Sequence, residues 1–168
     1  PLCKQKALTL TIECEQGLPL LSGDEKRLEQ MLAILLDNAV KFTALGGVEL
    51  LVRRMPSKNN DQEKILFSVI DSGIGITEAA SRHIFEKFRQ ANGAFSRGHG
   101  GLGIGLAIVK ELALAMKAEV DFDSVENEGS VFNLRVTLDH APENFVSSPV
   151  PEITFTIAQP TVMIVEDN

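Results

Sequence analysis

Leu8, Leu10 and Ile12 alternate with Thr9, Thr11 and Glu13, the two-residue period of a strand with one buried face. Gly17-Leu18-Pro19 marks a turn, and Ser22-Gly23-Asp24-Glu25 offers both a capping box and a capping aspartate to a helix. From Glu25 to about Phe42 the period lengthens: Leu28, Met31, Leu32, Leu35, Leu36 and Ala39 recur at three and four, which predicts a long helix with one core-facing stripe. After Gly46-Gly47 the stretches Val48–Arg54 and Lys64–Ile70 read as strands joined by a polar connection over Ser57–Gln62. A short helix is predicted over about Ala79–Phe88, and a longer one follows a glycine-rich segment as far as about Met116. Ala118–Val125 and Ser130–Leu138 close the pattern as strands flanking the turn Glu126-Asn127-Glu128-Gly129. Long helices in this mixed order can cover one face of an antiparallel-rich sheet, so the fold class predicted is a two-layer α/β sandwich.

Beyond Leu138 the pattern dissolves. Residues 139–160 carry Pro142, Pro149, Pro151 and Pro160 among serines, acids and isolated apolar residues, the composition of a linker. Residues 161–168 then begin a buried-type strand and stop at Glu166-Asp167, as a truncated second domain would. Residues 1–138 are therefore read as one domain of ordinary size, with the 44% hydrophobic and 23% charged content of a soluble globular protein. No apolar run is long enough to span a bilayer and no signal peptide is evident, so no direct membrane contact is expected of this segment. A net charge of −7 argues against nucleic acid as a partner, because such binders need a clustered basic surface. It does not exclude a nucleotide, which a few focused donors and one divalent cation can hold. Cys3 and Cys14 have no metal-ligand spacing and read as ordinary reduced thiols.

The chemistry concentrates in three places. Gly98 to Gly105 holds five glycines in eight residues and runs directly into an amphipathic helix. Such a run is tolerated where main chain approaches a ligand closely, and the unpaired N–H groups and positive dipole end of the following helix suit a phosphate. Gly98-x-Gly100-x-x-Gly103 also satisfies the dinucleotide-binding pattern, with Asp123 as the acid about 20 residues on. That fingerprint must follow a buried strand, whereas a helical stretch, Ile84–Gln90, and a polar loop, Ala91–Arg97, precede it here. On the long helix Gln30, Ile34, Asn38 and Lys41 share a face distinct from the apolar stripe. An Asn carbonyl suits Mg2+ there, and a Lys one turn on suits phosphate oxygens. The strand Phe67–Ile70 ends in Asp71-Ser72-Gly73-Ile74-Gly75-Ile76, where a carboxylate can accept from an exocyclic amine and glycines let a base lie on bare backbone. Phe85 and Phe88, three apart, read as core anchors rather than stacking platforms.

Asp24–Thr43, Asp71–Ile76, Ile84–Gln90, Gly98–Lys110 and Gly129-Ser130-Val131-Phe132 resemble, in this order, five motifs of one family. They are the asparagine box, first glycine box, phenylalanine box, second glycine box and closing Gly-Ser/Thr-x-Phe of the catalytic, ATP-binding domain of sensor histidine kinases, which has the Bergerat fold. The resemblance covers about residues 5–138. It implies ATP and Mg2+ as cofactors, with Asn38 as metal ligand, Lys41 at phosphate and Asp71 reading the adenine amine. Gly73, Gly75 and Ile76 would shape the base pocket, Phe88 and Arg89 would lie beside the nucleotide, and Gly101, Leu102, Gly103, Gly105 and Leu106 would form lid and phosphate cradle. Asn38 and Lys41 are the residues it makes catalytic. The stub 161–168 resembles the first strand and acidic pair of a receiver domain, which implies a hybrid kinase, cytoplasmic here, with the membrane anchoring of its parent protein left open. The implied partners are the dimerisation domain that carries the phosphoacceptor histidine and a receiver domain.

The sequence departs from the family at four places. Ile34 stands where the family usually has Asn and related ATPases have Glu, Leu102 replaces Thr or Ser, Gln90 replaces a basic residue, and Met116-Lys117-Ala118 replaces Met-Gly-Gly. His83, His99 and His140 lack the Ser-His-Glu helical context of the acceptor. An ATP-hydrolysing relative needs a carboxylate where Ile34 stands, so kinase is favoured over ATPase. A non-catalytic nucleotide-sensing module is the third reading.

Overall fold

The structure, a computed structural model, describes residues 6–57, 62–88 and 103–142. Six strands, β1 (Thr9–Cys14), β2 (Leu21–Ser22), β3 (Gly47–Met55), β4 (Gln62–Asp71), β5 (Glu119–Val125) and β6 (Gly129–His140), form one sheet. Its order is β1-β3-β4-β6-β2, with β5 also paired to β6. Only β1 and β3 run parallel; the other pairs are antiparallel. Helices α1 (Glu25–Phe42) and α3 (Gly105–Ala115) pack on one face, and the single turn α2 (Glu78–Ser81) lies between β4 and α3 in sequence. The mixed, mostly antiparallel two-layer architecture is the predicted one. Its mostly antiparallel sheet excludes the parallel dinucleotide-binding topology.

The two layers follow from the periodicities. α1 begins at Asp24, whose Oδ1 accepts from the Arg27 N–H at 3.1 Å, and it buries Met31, Leu35, Ala39 and Val40. These meet alternate residues of the central strands: Leu50 opposite Val69 opposite Phe132, with Leu134 and Val136 further along. The other sheet face carries a row of paired polar residues. Ser68 Oγ donates to Asn133 Oδ1 at 2.7 Å, Asn133 Nδ2 donates to Asp121, Arg135 pairs with the same carboxylate, and Lys64 reaches Glu119 at 3.1 Å. A sheet solvated on one side can afford these alternating polar residues only if the helices stay on the other.

Four details differ from the sequence pattern. The stretch Ala79–Phe88 is not one helix: α2 is capped by Thr77 and ends at Ser81, after which the chain turns through bonds from His83 N to Ala80 O and Glu86 N to His83 O. These turns swing Phe85 inward against Phe122, with ring centres 5.9 Å apart, but leave Phe88 76% exposed at φ +63, so Phe88 is no core anchor. Strand β6 runs on through Asp139 and His140, which pair with Ser22 and Leu21, so these two positions belong to the sheet and not to the expected linker. β2, two residues long, carries no period that a sequence could display. Finally, Ile34 is half-buried against the core and does not share the exposed setting of Gln30, because its position borders the apolar stripe and α3 covers it.

The end of α3 shows what Lys117 does in place of glycine. Ala118 N donates to Ala113 O at 2.8 Å and Lys117 N to Leu114 O at 3.1 Å, a closing pattern that requires a left-handed residue, and Lys117 takes φ +53. A side chain pays about 1–2 kcal/mol to sit there. Lys117→Gly should therefore raise the unfolding free energy by about 1 kcal/mol, measured by urea titration; an unchanged or lower midpoint would show that the lysine is otherwise compensated.

Candidate nucleotide-binding site

Asp71 is the last residue of β4 and is only 8% exposed. Its Oδ1 accepts from Gly73 N at 2.8 Å, and Ser130, its partner across the β4–β6 ladder, offers both backbone N–H and hydroxyl. Burial nevertheless pushes the carboxyl above its ordinary value, because those donors offset only part of the desolvation. The result is a carboxylate held in one orientation at the mouth of the helix-covered face.

The turn after it is gripped on both sides. Ile74 N donates to Phe42 O at 3.3 Å at the end of α1, while Ile74 O accepts from Asn127 N at 2.8 Å in the β5–β6 turn. Ile76 N donates to Ser124 Oγ at 2.9 Å, and that hydroxyl in turn donates to Gly129 O at 2.8 Å and lies 3.0 Å from Ser130 Oγ. Space is the reason for the glycines. A Cβ on Gly75, at φ +62, would lie 2.0 Å from Val125 O, and one on Gly129, at φ +126, would lie 2.0 Å from Asp71 O. Gly73 is confined too, with Phe42 O 2.6 Å from where its Cβ would be.

The end of α1 lies against this turn, and the start of α3 lies against α1. Asn38 and Lys41 project from the last two turns of α1, where Lys41 Nζ lies 5.1 Å from the centre of the Phe42 ring. α3 starts at Gly105 with no side-chain cap and no acid in its first turn, so its positive end is left for an anion. Gly105 abuts α1 closely: a Cβ there would be 3.1 Å from Ile34 Cγ2 and 3.9 Å from Asn38 Nδ2. Gly103, at φ +65, accepts from Phe88 N at 3.0 Å, and Leu106 is half-buried beside the core. The structure thus joins Asp71, Gly73, Gly75 and Ile76 to the end of α1, and Asn38 to the start of α3. Arg89, Gly101 and Leu102 lie outside the described residues.

Phe42 is a residue that the sequence pattern passed over. It is 44% exposed, its carbonyl backs Gly73 and Ile74, and its ring centre lies 5.1 Å from the Lys41 ammonium, so an exposed aromatic ring ends the helix that meets this turn. No signal marked its exposure, because Phe42, three residues after Ala39, continues the 3–4 stripe of the helix. A larger cleft, about 520 Å3, lies at the other end of the sheet around Arg54, Glu63 and His140. Its one buried acid, Glu63, is already paired with Arg54, at 2.7 Å from Nε. Among the described residues no group of three or more His, Cys, Asp or Glu could hold a metal alone.

This fold, with the end of α1 packed on the turn after a buried aspartate, is that of an ATP-binding domain. The chain belongs to the histidine kinase-, DNA gyrase B- and HSP90-like ATPase family, whose profile matches residues 23–140. Within it the chain falls with the catalytic domains of sensor histidine kinases. It is 37% identical over 145 residues to the signal transduction histidine-protein kinase BarA of Escherichia coli K12, covering 86% of this chain and 16% of that protein. To the autoinducer 2 sensor kinase/phosphatase LuxQ of Vibrio vulnificus YJ016 it is 33% identical, over 100% of this chain and 20% of LuxQ. Among solved structures, full-length ShkA in complex with AMPPNP superimposes with a TM-score of 0.71 at 33% identity, covering 84% of this chain and 28% of ShkA. The nucleotide-free catalytic domain of histidine kinase ThkA gives 0.64 at 23% identity over 80% of this chain and 81% of that domain, a likeness of fold. The chain spans about a sixth to a fifth of the curated relatives it matches.

The raised pKa of Asp71 has a measurable consequence for stability. A carboxyl raised on folding destabilises the folded chain when ionised, and the penalty disappears as pH falls through the folded value toward the unfolded one. Without nucleotide, Asp71→Asn should therefore melt a few degrees higher than the unmodified chain at neutral pH. The difference should shrink as pH is lowered into the carboxylate range. A gap that is constant with pH, or reversed at neutral pH, would contradict this.

Proposed function

We propose that this chain binds Mg·ATP and donates its γ-phosphoryl group to a histidine on a separate dimerisation domain of the same kinase. The observation that carries the reading is the convergence of three parts: buried Asp71 with its glycine turn, the Asn38–Lys41 end of α1, and the uncapped start of α3 packed against Asn38. ATP supplies the transferable phosphoryl; the residues bind, orient and neutralise. Asp71 accepts from the adenine 6-amino group, with Gly73, Gly75 and Ile76 forming the wall against the base and Phe42 the exposed ring beside it. Lys41 meets phosphate oxygens, and the N–H groups at Gly105 and Leu106 continue the cradle that Gly103 opens. Arg89, Gly101, Leu102 and Phe88 complete the phosphate side in this proposal.

Mg2+ fits the donor set. It prefers to keep waters and substrate phosphates and takes few protein ligands, which agrees with one half-buried Asn and the absence of an acidic cage among the described residues. Asn38 would hold it. Ile34, packed on Gly105, has no proton acceptor to activate water, so transfer to a protein acceptor is favoured over hydrolysis. Of the histidines described, His83 is tied to Glu86 at 2.7 Å and His140 ends β6, so neither resembles an exposed helical acceptor. Residues 141–160 are proposed as linker and 161–168 as the start of a receiver domain; residues 143–168 lie outside the described residues. The receiver is a second proposed partner. No described helix is long and apolar enough to cross a membrane, which accords with a cytoplasmic catalytic domain in the proposal.

Incubation with γ-labelled ATP tests the reading. The chain alone should neither label itself nor release phosphate appreciably, and an added dimerisation domain should acquire acid-labile label slowly, since no tether supplies effective concentration. Asn38→Ala should cut that transfer by about tenfold or more while leaving metal-free ADP affinity nearly unchanged, as calorimetry would report. Rapid phosphate release by the chain alone would move it to the ATPases, and Mg·ATP binding without transfer would make it a nucleotide sensor.

A further inference from the structure

The last carbonyls of α1 are accounted for one by one, and a residue outside every recognised motif supplies half of the donors. Ala39 O accepts from both Thr43 N, at 3.1 Å, and Thr43 Oγ1, at 2.7 Å. Phe42 O accepts from Ile74 N. Val40 O, Lys41 O and Thr43 O all accept from the ammonium of Lys6, at 2.9, 2.8 and 3.2 Å. An ammonium has three donors and no acceptor, so this one is saturated by carbonyls of a single helix end, where its charge also opposes the negative end of the dipole. The next residue, Ala7, takes φ +54, a left-handed conformation that alanine rarely adopts, and Thr9 N is fastened to Gly46 O at 3.0 Å. The chain thus bends at a conformational cost just where Lys6 meets the helix.

We infer that Lys6 is a positioning residue for the nucleotide site: it fixes the end of α1 from which Asn38, Lys41 and Phe42 project. The inference rests on the functional reading given above. Without it, three helix-end carbonyls lose their donor in a half-buried place, and water can replace it only by loosening the last turn. That turn carries Lys41 and Phe42 directly, and its Phe42 carbonyl holds Ile74 in the turn after Asp71. The two halves of the site would then lose their common reference.

Three variants of the whole chain test this by calorimetry with Mg·ATP and by thermal melting. Lys6→Met, which keeps length and removes the donors, should bind roughly tenfold more weakly. Lys6→Arg keeps the charge, and its flat fork can meet two of the three carbonyls, so it should recover much of the affinity. Leu28→Ala, which loosens the opposite end of α1, should lower the melting temperature but hold the affinity. Unaltered binding by Lys6→Met, or an equal loss in Leu28→Ala, overturns the inference. If Lys6→Met does not fold, the unmodified chain decides: the Lys6 ammonium should give a 15N resonance that exchanges slowly with water, and exchange as fast as that of exposed lysines overturns the inference. If the unmodified chain fails to bind Mg·ATP, the functional reading falls, and the ammonium resonance alone judges the tie between Lys6 and the helix.

Discussion

A carboxylate withdrawn from water at the end of a central strand has to be surrounded by donors, and much of the arrangement around Asp71 answers that demand. Gly73 N can reach it only because the chain turns at once, and Ser130 can reach it only because β6 is in register beside β4. Register in turn depends on the alternation of Phe132, Leu134 and Val136 beneath the helices, since a slip by one residue would send Ser130 to the solvated face and bring Asn133 into the core. The position of one polar side chain is therefore fixed by apolar burial along the whole strand. The same carboxylate is left incompletely compensated, and this is the condition for it to accept strongly from a ligand amine that replaces lost water.

The close backbone contacts around that turn have a mechanical meaning. Gly75 against Val125 O, Gly129 against Asp71 O and Gly73 against Phe42 O bring three separate segments within main-chain contact, with no side chains between them to adjust. Ser124 then joins the segments through its hydroxyl, which accepts from the Ile76 N–H and donates a hydrogen bond to Gly129 O. A wall built in this way is flat and stiff, which suits a rigid aromatic base. The phosphate side is built differently: the Asn38 amide lies near Gly105, and the anion end of α3 carries no capping side chain of its own. In the proposed function, base recognition would rest on this backbone wall and phosphate binding on the start of α3, which has no side-chain cap.

Much of this was legible in the sequence because periodicity and glycine placement report physical necessities. The period-two strands and the 3–4 stripe of α1 predicted the sheet and its covering helix, and Asp71-x-Gly73-x-Gly75 predicted a polar turn at a strand end. What escaped had no local signature. β2 consists of two residues whose partner is more than a hundred positions away. Ile84–Phe88 has helical composition, yet the pull of Phe85 toward Phe122 and the bond from Phe88 N to Gly103 O impose turns instead. Phe42 read as a helix end because exposure cannot be seen in sequence. Lys6 was invisible for the opposite reason, since a single lysine among polar residues signals nothing until the carbonyls it meets are seen together.

Ile34 shows how one position can divide reaction outcomes within a common fold. Hydrolysis requires a base close enough to take a proton from water, and α1 offers the position one turn before Asn38 for it. Here that position is aliphatic, half-buried and packed on the first residue of α3. Its branched side chain also packs the junction of the two helices, where a Cβ on Gly105 would come within 3.1 Å of Ile34 Cγ2. An aliphatic residue at this position is compatible with catalysis when the reaction is transfer, because positioning and charge neutralisation, the roles proposed above for Asn38, Lys41 and the start of α3, supply most of what phosphoryl transfer needs.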